Sequence, residues 1–160
     1  MIPVQKNITT KKIARIGIIA GLYTAITFLL SAISFGPVQV RAAEALTLLP
    51  VLYPEAVAGL FLGCLISNIL GPFGAVDIVF GSLTTLLAAF ITYRFRSNTV
   101  VACLSPILFN AFVVSLYLHL FFQIPYWPTV LTIGLGESLS VLALGIPLLR
   151  LLKARQHPEA

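Results

Sequence analysis

Residues 99–122, TVVACLSPILFNAFVVSLYLHLFF, contain no Asp, Glu, Lys or Arg. Such a run exceeds the ~20 residues a helix needs to cross the ~30 Å hydrocarbon layer of a bilayer. Comparable apolar stretches cover 13–34, 75–93 and 129–152, with shorter ones at 43–53 and 55–70. Of the 160 residues, 59% are hydrophobic and 9% charged, and the mean hydropathy is +1.03. Soluble domains are nearer half apolar and a quarter charged. A water-soluble fold of this size cannot hide so much apolar surface, so the bilayer is the solvent for most of it. The expected class is an all-α integral membrane protein, with one membrane domain over 1–160. Its expected helices are 13–34, 41–53, 55–70, 75–93, 99–122 and 129–152. The first of these is too long for a signal-peptide core of ~7–15 residues, and reads as a retained span.

The second segment is short, with Pro50 and Pro54 at its end in LLPVLYPEA. Residues 41–70 are open to three readings: two joined spans, a re-entrant hairpin, or one broken helix. Charge separates the last from the others, because cytoplasmic loops are enriched in Lys and Arg. An even count with the N-terminus inside places Lys6, Lys11, Lys12, Arg15, Arg94, Arg96, Arg150, Lys153 and Arg155 in the cytoplasm, and leaves only Arg41 outside. Five spans would put the 94–96 pair and the C-terminal cluster outside as well. Six helices, with both termini cytoplasmic and a short second helix, is the expectation. Phe121, Phe122, Tyr126 and Trp127 mark the outer interface, and Tyr93 the inner one.

Several function classes are disfavoured. The net charge is +5, but the basic residues sit in short flanks without interleaved aromatics, which suits anionic lipid headgroups and not nucleic acid. Cys64 and Cys103 lie inside apolar runs and read as small packing residues, with no disulfide framework or metal spacing. No GxxxxGK[ST] sequence offers an ATP site. No carboxylate pair, His cluster or Ser-His-Asp set supports an enzyme. No cofactor and no metal is expected.

What remains is a small set of polar residues within or beside the spans: Gln39, Arg41, Glu44, Asn68, Asp77, Asn110, His119, Gln123 and Glu137. In the six-helix arrangement they fall in the outer half or near the middle. Ionisable residues inside a membrane are costly and usually face a cavity, so these outline a binding site open to the outside. Each has a plainer alternative. Arg41 and Glu44 have the i,i+3 spacing of a surface ion pair. Asp77 near a helix start would complement the helix dipole. Asn68 and Asn110 would serve as interhelical hydrogen-bond glue. His119 is expected to be solvated at the interface. Glu55, directly after Pro54, is ordinary helix-start chemistry. Glu137 resists a plain reading. It lies in IGLGESLS, about 12 Å into a helix beginning at 129, and Gly134 and Gly136 leave room beside it. On the first helix, Gly17, Gly21 and Ala25 form a small-residue stripe for close helix approach, inside the bundle or against a partner.

The segments ISFGPVQVRAAEALTLLP, YPEAVAGLFLGCLISNIL, DIVFGSLTTLLAAF and GLGESLSVLALGIPLL resemble the queuosine-precursor transporter family, from about residue 13 to 150. The resemblance implies a six-helix substrate-binding (S) component of an energy-coupling-factor transporter in the cell membrane. It implies docking through the small-residue face of the first helix onto a transmembrane coupling subunit that carries two ATPase subunits. The solute would be a 7-deazaguanine such as preQ1 or preQ0, or queuine. A carboxylate accepts the two adjacent N–H donors of a guanine-like edge as a fork. Glu137, Glu44 and Asp77 supply acid, one of them for the edge and a second suited to a cationic aminomethyl group. Asn110, Asn68, Gln39 and Arg41 supply donors. An S-component-like subunit for another vitamin or nucleobase, and a ligand-free membrane scaffold, are the alternatives.

Overall fold

The computed structural model describes residues 4–34 and 39–156, with side chains from Thr9 onward. Among the described residues every regular element is helical. We number them α1 (Val4–Leu29, followed by a turn at Ser31–Ser34), α2 (Ala42–Val51), α3 (Ala56–Ile69), α4 (Gly74–Arg94), α5 (Thr99–Phe122) and α6 (Tyr126–Gln156). Four of these, α1, α4, α5 and α6, are long and apolar enough to cross a membrane. The other two are shorter. At ~2.0 Å per residue a ten-residue 3-10 helix such as α2 reaches about 20 Å, and α3 at 1.5 Å per residue about 21 Å. Neither alone covers the hydrocarbon layer.

The short second segment differs from expectation in kind and place. It is a 3-10 helix over Ala42–Val51, not a helix over 41–53. It is also the centre of the bundle: every residue from Ala43 to Pro50 is buried. It lies against α6 and α4, and also touches α1, α3 and α5. Around it α1 packs on α3, α3 on α4, α4 on α5 and α5 on α6. The outside of the bundle is apolar, as the bilayer requires: Leu29, Leu131, Leu135 and Trp127 are all more than two-thirds exposed.

Local chemistry explains the joints. Asn98 caps α5, its side chain accepting from Val100 N at 3.1 Å and Val101 N at 3.3 Å, which satisfies amides left open at a helix start. Gln123, at φ 57°, closes α5 in a left-handed conformation. Ser105 donates to Ala88 O at 2.9 Å and Thr92 to Ala102 O at 3.1 Å, sewing α4 to α5. The close α1–α3 approach is made by Gly59 and Gly63 of α3. A Cβ at Gly63 would stand 2.7 Å from Tyr23 Cβ, and one at Gly59 would stand 2.9 Å from Ile19 Cβ. The α1 stripe of Gly17, Gly21 and Ala25 is exposed, and a Cβ at either of its glycines meets nothing within 4 Å.

At the end of the bundle where α3 begins, Arg15 of α1 donates to Glu55 at 2.8 Å and lies 4.5 Å over the Tyr53 ring. Tyr53 OH accepts from Gln156 Nε2 of α6 at 2.8 Å. Partial burial pushes the Glu55 carboxyl up, but the Arg15 hydrogen bond and charge outweigh it and hold the group below the usual glutamate range.

Candidate functional site

A polar cluster occupies the middle of this apolar bundle, and it contains the residues expected from the sequence. Glu44, Asn68 and Asp77 are essentially inaccessible; Glu137, Asn110, Arg41 and Gln39 are more than nine-tenths buried. They come from different elements: Arg41 and Glu44 from the start of α2, Asn68 from the end of α3, Asp77 from the start of α4, Asn110 from the middle of α5 and Glu137 from α6. Three of the four long helices are locally wound as π-helix beside them, over Asp77–Gly81, Asn110–Val114 and Leu139–Gly145. Such widened turns re-aim side chains and are frequent at functional sites.

The pairing inside the cluster differs from the i,i+3 alternative. Arg41 does not form a surface pair with Glu44. Its Nη2 lies 3.3 Å from Asp77 Oδ2, an ion pair with both side chains buried. Tyr117 of α5 donates to the other Asp77 oxygen. Asp77 therefore does more than complement a helix dipole. Asn68 Nδ2 donates to the Asp77 carbonyl at 2.9 Å and stands 3.4 Å from Cys64 Sγ and from Ser82 Oγ. Thr85 Oγ1 lies 3.3 Å from Cys64 Sγ, so Cys64 belongs to the polar cluster and is more than a packing residue. Gly81 makes this crowding possible: a Cβ there would stand 2.6 Å from Asp77 Oδ1 and 2.8 Å from Asn68 Nδ2.

Glu44 has a different partner. Tyr23 of α1 donates to its Oε1. Asn110 lies between Glu44 and Glu137, within reach of both. Glu44 Oε2, Glu137 Oε2, Asn110 Nδ2 and Asn68 Oδ1 are buried without a hydrogen bond of ordinary geometry. So are the hydroxyls of Thr27 and Ser115. Buried polar atoms are nearly always satisfied, and an unsatisfied one costs about 1–3 kcal/mol. Three of these atoms belong to the neighbouring side chains Glu44, Asn110 and Glu137.

Two expectations about space change. α6 begins at Tyr126, so Glu137 lies ~17 Å along it at 1.5 Å per residue, deeper than expected. The room at Gly136 is taken by the chain itself: a Cβ there would meet Gln39 O at 2.0 Å. Gln39 and Val40 thus run across α6 beside Glu137, anchored by Val40 N to Ile33 O at 3.2 Å. Gly134 has only Ala111 Cβ, at 3.5 Å. Outside the cluster, His119 and Gln123 are exposed. His119 Nδ1 meets Ile124 O at 2.8 Å, in keeping with an interfacial role.

The residues that sequence reasoning missed are Tyr23 and Tyr117. Membrane tyrosines favour the interfaces; these two sit well inside apolar runs, and that displacement was the available signal.

A family model described as "QueT transporter" matches residues 13–154. A curated relative from Lactococcus lactis subsp. cremoris (strain MG1363), the queuosine precursor transporter QueT, is 39% identical over 85 residues, covering 52% of this chain and 50% of the relative. The matched region thus spans about half the length of that relative. No solved structure matches.

Proposed function

The chain belongs to the QueT transporter family, and from that premise we propose that it is the membrane substrate-binding subunit of an energy-coupling-factor uptake system, with a queuosine precursor of the 7-deazaguanine type as its solute. The observation that carries the reading is the buried group of Glu44, Asn110 and Glu137 with unpartnered atoms. A guanine-like edge presents two adjacent N–H donors and a carbonyl. Glu137 accepts the pair of donors, and Asn110 donates to the carbonyl. Arg41 and Asp77 neutralise one another and hold α2 to α4; Asn68 fixes the Asp77 backbone. Gln39 belongs to the segment crossing α6, which covers Glu137.

In this reading the chain makes six crossings in one membrane domain, α2 and α3 forming a closely joined pair. Both termini are cytoplasmic, since nine of the ten basic residues then obey the inside rule. Energy comes from elsewhere, because the chain carries no phosphate-binding loop. The open face of Gly17, Gly21 and Ala25 receives the transmembrane coupling subunit, which bears two ATPase subunits. Its exposure supports this use, since the bundle's own close packing is made by Gly59 and Gly63.

The test is calorimetric titration of the purified chain with 7-deazaguanine precursors. Wild type binds, and Glu137→Gln and Glu137→Ala bind at least tenfold more weakly, which is ~1.4 kcal/mol. Unchanged affinity in Glu137→Ala removes Glu137 from the site. Folded wild type that binds none of these compounds, but retains another small molecule by mass spectrometry, replaces the solute.

A further inference from the structure

The cluster holds more acids than bases. Among the described buried residues Arg41 is the sole basic side chain, against three carboxyl groups, Glu44, Asp77 and Glu137. Asp77 is accounted for: Arg41 sits on one of its oxygens at 3.3 Å and Tyr117 donates to the other. Arg41 also lies within electrostatic reach of Glu44 and Glu137, but it is a single base among three acids. Glu44 is half satisfied: Tyr23 holds Oε1, while Oε2 is buried without a hydrogen bond of ordinary geometry, with Asn110 within reach. A buried carboxylate without a counter-charge is strongly unfavourable in low dielectric.

We propose that the site selects ligands bearing a protonated amine, and that Glu44 is the group that receives it. The inference rests on the reading of the solute as a 7-deazaguanine and narrows it by charge. Glu137 and Asn110 read the base edge common to all members of that class. Glu44 reads the substituent: an ammonium on the ring's side arm is accepted as a charge-assisted hydrogen bond, and a neutral nitrile is not. The sequence leaves Glu44, Asp77 and Glu137 equivalent as acids. The Arg41–Asp77 pairing removes Asp77 from the choice, and Tyr23, by filling one Glu44 oxygen, fixes the direction of the other.

The experiment compares two 7-deazaguanines of nearly equal size, one with an aminomethyl and one with a nitrile side arm, titrated into the chain in detergent at a pH where the amine is charged. Wild type binds the amine at least tenfold more tightly. In Glu44→Gln, which still accepts from Tyr23, the amine-over-nitrile preference falls at least tenfold. Nitrile binding by the variant also certifies its fold. The wild-type comparison stands by itself if that variant does not fold. Equal wild-type affinity for the two compounds, or tighter nitrile binding, overturns the charge selection while leaving the solute class in place. Equal losses for both compounds in Glu44→Gln overturn the assignment of Glu44. Binding of neither compound by folded wild type overturns the solute class, and this inference with it.

Discussion

Tyr23 and Thr27 stand one turn apart on α1, both buried, with opposite hydrogen-bond status. The Tyr23 hydroxyl donates to Glu44; the Thr27 hydroxyl meets no partner. Tyr23→Phe leaves Glu44 with neither oxygen paired, and is expected to lower stability by about 1–3 kcal/mol. Thr27→Val keeps the shape and removes an unsatisfied group, so its melting temperature is expected to match or exceed wild type. Thermal unfolding of both variants in one detergent checks the pair; a loss in Thr27→Val as large as in Tyr23→Phe would show that the Thr27 hydroxyl has a structural partner. At this scale the sequence marked the ionisable and amide members of the cluster, because a charge inside an apolar run stands out. It did not mark their partners. Arg41 has Glu44 three residues away and takes Asp77, thirty-six residues on. That choice depends on the packing of α2 against α4, which no local spacing encodes. Cys64 was hidden for a related reason: its character depends on Asn68 and Thr85 beside it.

Apolar run length marked the boundaries of α2 to α6 to within about four residues, whereas α1 runs from Val4 to Leu29 instead of over 13–34, because its basic N-terminal part is helical but not apolar. The 3-10 winding and central position of α2 were not legible, since a segment buried on every side has no polar face to give its period. The small-residue positions show the same limit. Glycine spacing identifies where helices are able to approach, but not which partner does so. Gly63 faces Tyr23 and Gly21 faces open space. Gly63→Val therefore drives α1 and α3 apart and is expected to lower stability by ~1–3 kcal/mol, the usual penalty for overpacking a core. Gly21→Leu is expected to fold and bind solute like wild type, yet to lose co-purification with the proposed coupling subunit. Thermal unfolding and affinity pull-down of the two variants separate these roles. Normal assembly by Gly21→Leu would exclude the α1 face as the docking surface.

For the molecule as a whole the decisive quantity is sidedness. The Arg15–Glu55 pair and the Tyr53–Gln156 hydrogen bond bring the basic part of α1, the α2–α3 joint and the end of α6 together. The proposed six crossings assign this end to the cytoplasm. A cysteine placed at Arg96, in a chain whose native Cys64 and Cys103 are replaced, is expected to resist membrane-impermeant maleimide in intact cells and to react after permeabilisation. Labelling in intact cells would reverse the topology. The central position of α2 also has a consequence for biogenesis. Its residues are synthesised early, yet α6, one of its main neighbours, emerges after all the others described. Until then Glu44, Thr47 and a 3-10 backbone lack part of their cover, in a solvent that tolerates no open polar groups. Truncation after Gln123 should therefore yield a chain that a membrane quality-control protease removes, measurable as a shortened half-life in pulse-chase. On this expectation durability waits on the arrival of α6, and a chain interrupted before it identifies itself for disposal.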